Sequence, residues 1–142
     1  MSNDSSSLAS PIQGSCCCGA VRFELSAAPT MMGTCHCSRC RKVGASTFVF
    51  VQREHLHWLD GRERVKSYRP AAPYKYERSF SELCGTALGE ILSEADSFPI
   101  AANALDTDPI ARNRFHEFVS EKPAWLVICD EAKQFSGHPM PL

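Results

Sequence analysis

The clustering of cysteines is the feature that most constrains how this chain can fold. Six of its eight cysteines lie in two short segments, residues 16–18 and 35–40, while Cys84 and Cys129 stand apart. Neighbouring cysteines within such segments are poorly placed to pair as disulfides but well placed to share a metal ion. The pattern therefore predicts metal ligation.

The N-terminal residues 1–13 are rich in Ser and have neither the basic start nor the apolar stretch of a signal peptide. We therefore expect a cytoplasmic protein, in a compartment whose reducing conditions disfavour structural disulfides. A length of 142 residues suits a single domain. We expect a single zinc-binding domain over residues 14–135, after a disordered lead-in (1–13) and before an extended tail (136–142).

The composition excludes several classes of partner. The chain is 44% hydrophobic and 22% charged, with a formal net charge of −1. No basic stripe indicates nucleic-acid binding, and no apolar run approaches the ~20 residues of a membrane-spanning helix. We expect neither nucleic acid nor membrane as a partner. The oligomeric state is left open.

Short segments of alternating hydrophobicity predict a mainly β domain of short strands with very little helix. Strands are expected over 21–25 and 47–51, and Asp60-Gly61 is a turn signal between two further strands. A helical turn is expected after Cys37 and another around 110–114. The remaining strands are predicted over 74–80, 87–92, 99–105, 115–119 and 124–129.

The group Cys35-x-Cys37-x-x-Cys40 places three sulfurs within six residues. Three protein ligands with an open fourth position are typical of a catalytic zinc rather than a closed structural one. The alternative is a structural zinc completed from a distance, for example by Cys129 or a histidine. His36 lies between two ligands, and alternation turns it away from the metal.

A second set of candidate ligands is split along the chain. Cys16 and Cys18 share one face of an extended segment, and Cys17 points away. Their distant partner is Cys84 in the segment S-E-L-C-G, which looks like a zinc knuckle whose first cysteine is replaced by Ser81. A serine hydroxyl is a poor zinc ligand beside a thiolate. The site then has three cysteines with a fourth ligand from water, Cys17 or elsewhere, or it is free of metal.

Three motifs in this order resemble the glutathione-dependent formaldehyde-activating enzyme family, which is also called centromere protein V-like. They are Gly14-x-Cys16-x-Cys18-Gly19, Cys35-His36-Cys37-x-x-Cys40-Arg41-Lys42 and Arg78-x-Phe80-x-x-x-Cys84-Gly85. Two later segments, Phe115-His116 and Lys122-Pro123-Ala124-Trp125, resemble the family's His-containing strand and Lys-x-x-Trp end.

This resemblance implies an Mss4-like, zinc-binding β fold of short antiparallel strands with two zinc sites. It implies a catalytic zinc at Cys35, Cys37 and Cys40. It also implies a structural zinc at Cys16, Cys18, Cys84 and the position of Ser81. The implied activity is that of a carbon–sulfur lyase that joins or splits a glutathione-like thiol and a small aldehyde such as formaldehyde. Zinc is then the cofactor and glutathione a co-substrate.

The rival hypothesis is a non-catalytic zinc scaffold that binds another protein. The namesake of the Mss4-like fold is such a binder, and a fold does not by itself fix a function. The fourth ligand at the Cys35–Cys37–Cys40 centre distinguishes the two hypotheses. A protein ligand favours the scaffold, whereas an open position favours the enzyme.

Overall fold

A computed structural model describes residues 10–139 of the chain. Most of the predicted lead-in and the end of the predicted tail lie outside these residues. The first strand begins at Ile12, inside the predicted lead-in, and Ile12 is buried.

Within the described residues, eleven short strands and one α-helix make up the domain. The strands are β1 (Ile12–Ser15), β2 (Arg22–Leu25), β3 (Met31–Cys35), β4 (Thr47–Gln52), β5 (Leu56–Asp60), β6 (Val65–Tyr68), β7 (Arg78–Ser81), β8 (Ala87–Gly89), β9 (Ser97–Ala101), β10 (Asn113–Glu117) and β11 (Lys133–Gln134). The helix α1 spans Ser38–Val43, and 3-10 turns cover Arg53–His55, Arg62–Arg64, Ala102–Ala104 and Val119–Glu121. The predicted mainly β class and the helix after Cys37 are confirmed.

The strands form three sheets, with the orders β1-β2-β5, β11-β10-β3-β4-β9 and β6-β7-β8. Pairing is antiparallel except where β10 runs parallel to β3 and to β11. The five-stranded sheet matters most for function. It brings β10, late in the chain, beside β3, whose last residue is Cys35.

Alternating apolar residues explain how these strands build the core. Phe23 and Leu25 are fully buried on β2, while the alternate residues Arg22 and Glu24 are more exposed. Val49 and Val51 are buried in the same alternating way on β4. The residues of each strand that face the core thus repeat every second position, as a half-buried sheet requires.

Gly33 allows the close approach of β3 and β10. A Cβ atom at this position would lie 2.2 Å from Cζ of Phe115 on β10. No side chain fits there, so the phenyl ring packs directly over the strand. This contact also fixes β10 so that His116 pairs with Thr34, next to Cys35.

Several predicted elements are shorter than expected or differ. The strand predicted over 74–80 begins only at Arg78. Pro70 and Pro73 lie in the preceding loop and cannot donate to a strand ladder. Tyr74 and Tyr76, which belong to the predicted strand, lie in that loop and are exposed.

The second predicted helix and the last predicted strand were wrong. Ile110 has a left-handed φ of 69°, which a helix cannot accommodate, and β10 begins at Asn113. Residues 124 and 125 form a turn, in which the N–H of Leu126 donates to the carbonyl of Pro123, and residues 126–129 continue without regular secondary structure. The strands predicted over 87–92 and 99–105 end early, at Gly89 and Ala101.

Helices in the part of the chain that the structure describes are all too short or too polar to cross a bilayer.

Two candidate metal centres

Cys35, Cys37 and Cys40 come together where β3 passes into α1. Cys35 ends the strand, Cys37 is the N-cap of the helix, and Cys40 lies one turn further on. The Cys37 sulfur accepts a hydrogen bond from the backbone N–H of Cys40 at 3.3 Å. All three sulfurs lie within 4.8 Å of one another. This convergence arises from local geometry, because a strand end and a first helical turn place all three side chains on one side.

The pKa values of two of these thiols, Cys35 and Cys40, are shifted in opposite directions. The pKa of Cys40 is lowered to about 5, first by a hydrogen bond from Cys35 and then by Arg78, against the effect of burial. The pKa of Cys35 is raised strongly by the same hydrogen bond and by burial. The buried and adjacent Cys35 and Cys40 thiols therefore do not both ionise by themselves, because their negative charges would repel each other. A divalent ion would supply the missing positive charge, so the donor set fits zinc.

Arg78 is the nearest basic partner of this centre, and its role was missed in the sequence. It begins β7, and its Nη2 donates to the Cys40 sulfur at 3.4 Å. Two carboxyl groups, those of Glu90 and Glu117, also lie close enough for Cys40 to raise their pKa, although burial is the larger cause. The centre is thus partly buried and bordered by charges of both signs.

Cys16, Cys18 and Cys84 form the second cluster, and their sulfurs also lie within 4.8 Å of one another. The Cys16 and Cys18 sulfurs are 3.7 Å apart. That separation matches the edge of a zinc tetrahedron, about 3.8 Å for Zn–S bonds of about 2.3 Å. The turn after β1 supplies the first two sulfurs and the hairpin between β7 and β8 supplies the third, so the predicted long-range partnership is present.

Ser81 occupies the place of the missing knuckle cysteine. It is fully buried, and its Oγ accepts hydrogen bonds from the backbone N–H groups of Leu83 at 3.3 Å and Cys84 at 3.4 Å. The pKa of Cys84 is lowered to about 5, first by a hydrogen bond with the Ser81 hydroxyl and then by Thr86. The knuckle turn therefore survives, with an oxygen where a sulfur would be.

His36 points away from the sulfurs and into a buried polar network. Its Nε2 lies 2.8 Å from Nδ1 of His116, and Nε2 of His116 lies 2.9 Å from a carboxylate oxygen of Asp130. Asn113 joins the network by donating to Asp130 and accepting from Thr34. No spacing in the sequence indicates these pairings, because their members come from β3 and the residue that follows it, from β10 and from the loop after residue 123.

This network lies under a cleft of about 560 Å³. Its floor includes Thr34, His36, Asn113 and His116, and its rim includes the exposed Trp125. Cys129 also lines the cleft, and it belongs to neither sulfur cluster.

Among residues 10–139, no other cysteine, histidine or carboxylate joins Cys35, Cys37 and Cys40 within 4.8 Å. Neither Cys129 nor a histidine of the described residues therefore lies within that distance of all three sulfurs.

A mainly β domain with two three-cysteine clusters, each suited to a metal ion, belongs to the class of candidate metal-binding β proteins. Comparison with known proteins identifies the family. The family model described as glutathione-dependent formaldehyde-activating enzyme matches residues 11–121. The chain therefore belongs to the glutathione-dependent formaldehyde-activating enzyme family.

One curated relative and one solved structure agree with this family and fold. A protein of Halomonas elongata named "Putative glutathione-dependent formaldehyde-activating enzyme" is 30% identical over 139 residues, which covers 90% of this chain and 88% of the relative. A crystal structure of a Rhodobacter sphaeroides protein superposes with a TM-score of 0.52 at 22% identity and covers 67% of this chain and 88% of that one. The second likeness concerns the fold alone.

Proposed function

We propose that the protein is a zinc-dependent carbon–sulfur lyase that acts at Cys35, Cys37 and Cys40. Its substrates are a glutathione-like thiol and a small aldehyde such as formaldehyde, as for an S-(hydroxymethyl)glutathione synthase. The observation that carries the proposal is the convergence of three sulfurs within 4.8 Å, with no further cysteine, histidine or carboxylate of residues 10–139 within that distance of all three. Three ligands leave one coordination position for a substrate.

The reaction needs little beyond positioning and polarisation. A carbon–sulfur bond forms between the thiol sulfur and the carbonyl carbon, and the thiol proton ends on the carbonyl oxygen as a hydroxyl. The reverse direction splits the same bond. A bound zinc ion supplies a Lewis acid that can hold a thiol or polarise a carbonyl.

The side chains of the site supply the metal ligands and keep them ionised. Cys35, Cys37 and Cys40 are the three ligands, and electron-rich thiolates favour a soft substrate atom such as sulfur. Arg78 donates to the Cys40 sulfur and stabilises its ionised form. The side chains around the sulfurs thus keep the ligands ready to bind the ion.

The location that we propose is the cytoplasm. Two cysteine clusters suited to a metal ion favour a compartment that keeps thiols reduced. Glutathione is also a thiol of that compartment, which agrees with its role as co-substrate.

The non-catalytic scaffold is the competing hypothesis, and the coordination number separates the two. A scaffold needs a closed site with four protein ligands. The three sulfurs found together at residues 35–40 support the enzyme instead.

The experiment is a glutathione-plus-formaldehyde assay of the zinc-loaded protein, with its zinc content measured in parallel. We expect Cys37→Ser to lose both activity and about one zinc ion per chain. Cys129→Ser is the matched control, because Cys129 is exposed and outside both clusters. Equal rates for the wild type and Cys37→Ser would rule out the proposed site.

A further inference from the structure

The family places a closed structural zinc at Cys16, Cys18 and the knuckle, but this chain offers only three sulfurs there. Ser81 is the fourth candidate, so the state of its hydroxyl decides whether the site is closed. A serine hydroxyl has two lone pairs and one proton. A metal can use it only if a lone pair is free and faces the ion.

In this structure the Ser81 oxygen already accepts two hydrogen bonds. It accepts from the backbone N–H groups of Leu83 and Cys84, which occupy both lone pairs. The hydroxyl also faces the sulfurs, because Cys84 and Cys16 are both side-chain hydrogen-bond partners of Ser81. Ser81 is also fully buried in β7, so its side chain has little freedom to reorient. The hydroxyl therefore acts as a hydrogen-bonding partner of the cluster and not as a ligand.

The opposite side of the cluster is open to solvent. Cys18 and Cys84 are both exposed. The turns that carry them contain Gly19 and Gly85, and a Cβ atom at either glycine would have no heavy atom within 4 Å. An ion held by the three sulfurs would thus be reached from outside by a small molecule.

We propose that Cys16, Cys18 and Cys84 form a second, labile zinc centre that binds the ion through three sulfurs and takes an exchangeable fourth ligand from solvent. A small thiol is the ligand class that such a centre accepts, because it restores the four-sulfur set that suits zinc. The centre lies apart from Cys35, Cys37 and Cys40, so this inference does not depend on the proposed lyase activity.

Cobalt(II), which replaces zinc and absorbs visibly, provides the direct test. The Cys37→Ser/Cys40→Ser variant, without the first centre, would be loaded with cobalt and titrated with glutathione. We expect the sulfur-to-cobalt absorbance to rise by roughly one third as three sulfurs become four. In the same background, Ser81→Cys should start at the higher absorbance and not respond to glutathione.

Ser79→Cys is the matched control, because Ser79 is buried on the same strand but lies outside the cluster. It should respond to glutathione like its parent. Absorbance that glutathione does not change, or a Ser81→Cys spectrum identical to that of the parent, would overturn the proposal.

A second measurement covers the case in which the double variant does not fold. Zinc release to a coloured chelator would be followed in the otherwise wild-type chain. Ser81→Cys should slow one of the two release phases by roughly tenfold or more, and Cys84→Ser should remove that phase. If Ser81→Cys leaves both phases unchanged, the centre is already closed and the proposal is wrong.

Discussion

His36 and His116 lie 80 residues apart in the chain and share a hydrogen bond of 2.8 Å between Nε2 and Nδ1. Both rings are buried. Nε2 of His116 in turn lies 2.9 Å from a carboxylate oxygen of Asp130, so the three side chains form one hydrogen-bonded chain. The backbone N–H of His36 also donates to the carbonyl of Glu117 on β10 at 2.9 Å. The peptide between two candidate metal ligands is thus anchored to a strand from the far end of the chain.

His116→Ala should destabilise the fold by about 1–3 kcal/mol, because it leaves the buried Nε2 of His36 without a partner. Chemical denaturation measures this loss. The control is His57→Ala, since His57 is exposed and outside the network. Equal free energies of unfolding for the two variants would show that the network does not stabilise the domain.

The stabilising effect of Asp130 should depend on pH. Its pKa is lowered, chiefly by the hydrogen bond with His116. A carboxyl whose folded pKa is lowered contributes stability above its unfolded pKa of about 3.9 and loses it as the pH falls through the folded value. The melting-temperature difference between wild type and Asp130→Asn should therefore be constant from pH 7 to about 5 and shrink toward pH 3. A difference that grows on acidification would contradict this assignment.

Gly33→Ala should destabilise the protein by about 1–3 kcal/mol, because the added methyl group overlaps the ring of Phe115. Gly137→Ala is the matched control, since a Cβ there has no neighbour within 4 Å. The control should stay within about 0.5 kcal/mol of wild type. Thermal or chemical denaturation of both variants tests whether the approach of β10 to β3 is as tight as the geometry indicates.

Arg78→Gln should weaken zinc binding at Cys35, Cys37 and Cys40 by roughly 10–100-fold, because the Cys40 sulfur loses its charged donor. Arg78→Lys keeps the charge and should lose less. Arg53→Gln is a control in an exposed ion pair with Asp96. Chelator competition measures the zinc affinity of all three variants, and an unchanged affinity in Arg78→Gln would exclude a role for this contact.

The sequence by itself located most of the candidate sulfur ligands. Cys35, Cys37 and Cys40 lie within six residues, so their convergence depends only on a strand end and the first turn of a helix. Cys16 and Cys18 follow from side-chain alternation in the same way. Because these relationships are local, residue spacing alone determines them, and the mainly β class likewise follows from alternating apolar residues.

Segments without a strong local pattern could not be predicted correctly. Residues 124–129 have the composition of a strand but form a turn at 124–125 followed by an irregular segment. The loop with Tyr74 shows alternation without pairing. Strand propensity is expressed only where a neighbouring strand accepts the hydrogen bonds, and the availability of that neighbour is a property of the whole fold.

The tertiary structure alone decided the surroundings of the two centres. Three features depend on how separate strands and turns are packed. They are the contact of Arg78 with Cys40, the hydrogen-bonded chain from His36 through His116 to Asp130, and the hydrogen bonds that the Ser81 oxygen accepts. Hydrogen bonds between such residues require distances and directions that no spacing encodes. The sequence therefore determined which residues could hold a metal ion. Packing decided which groups form hydrogen bonds to the cysteines, which charged groups lie beside them, and which side of each cluster is exposed to solvent.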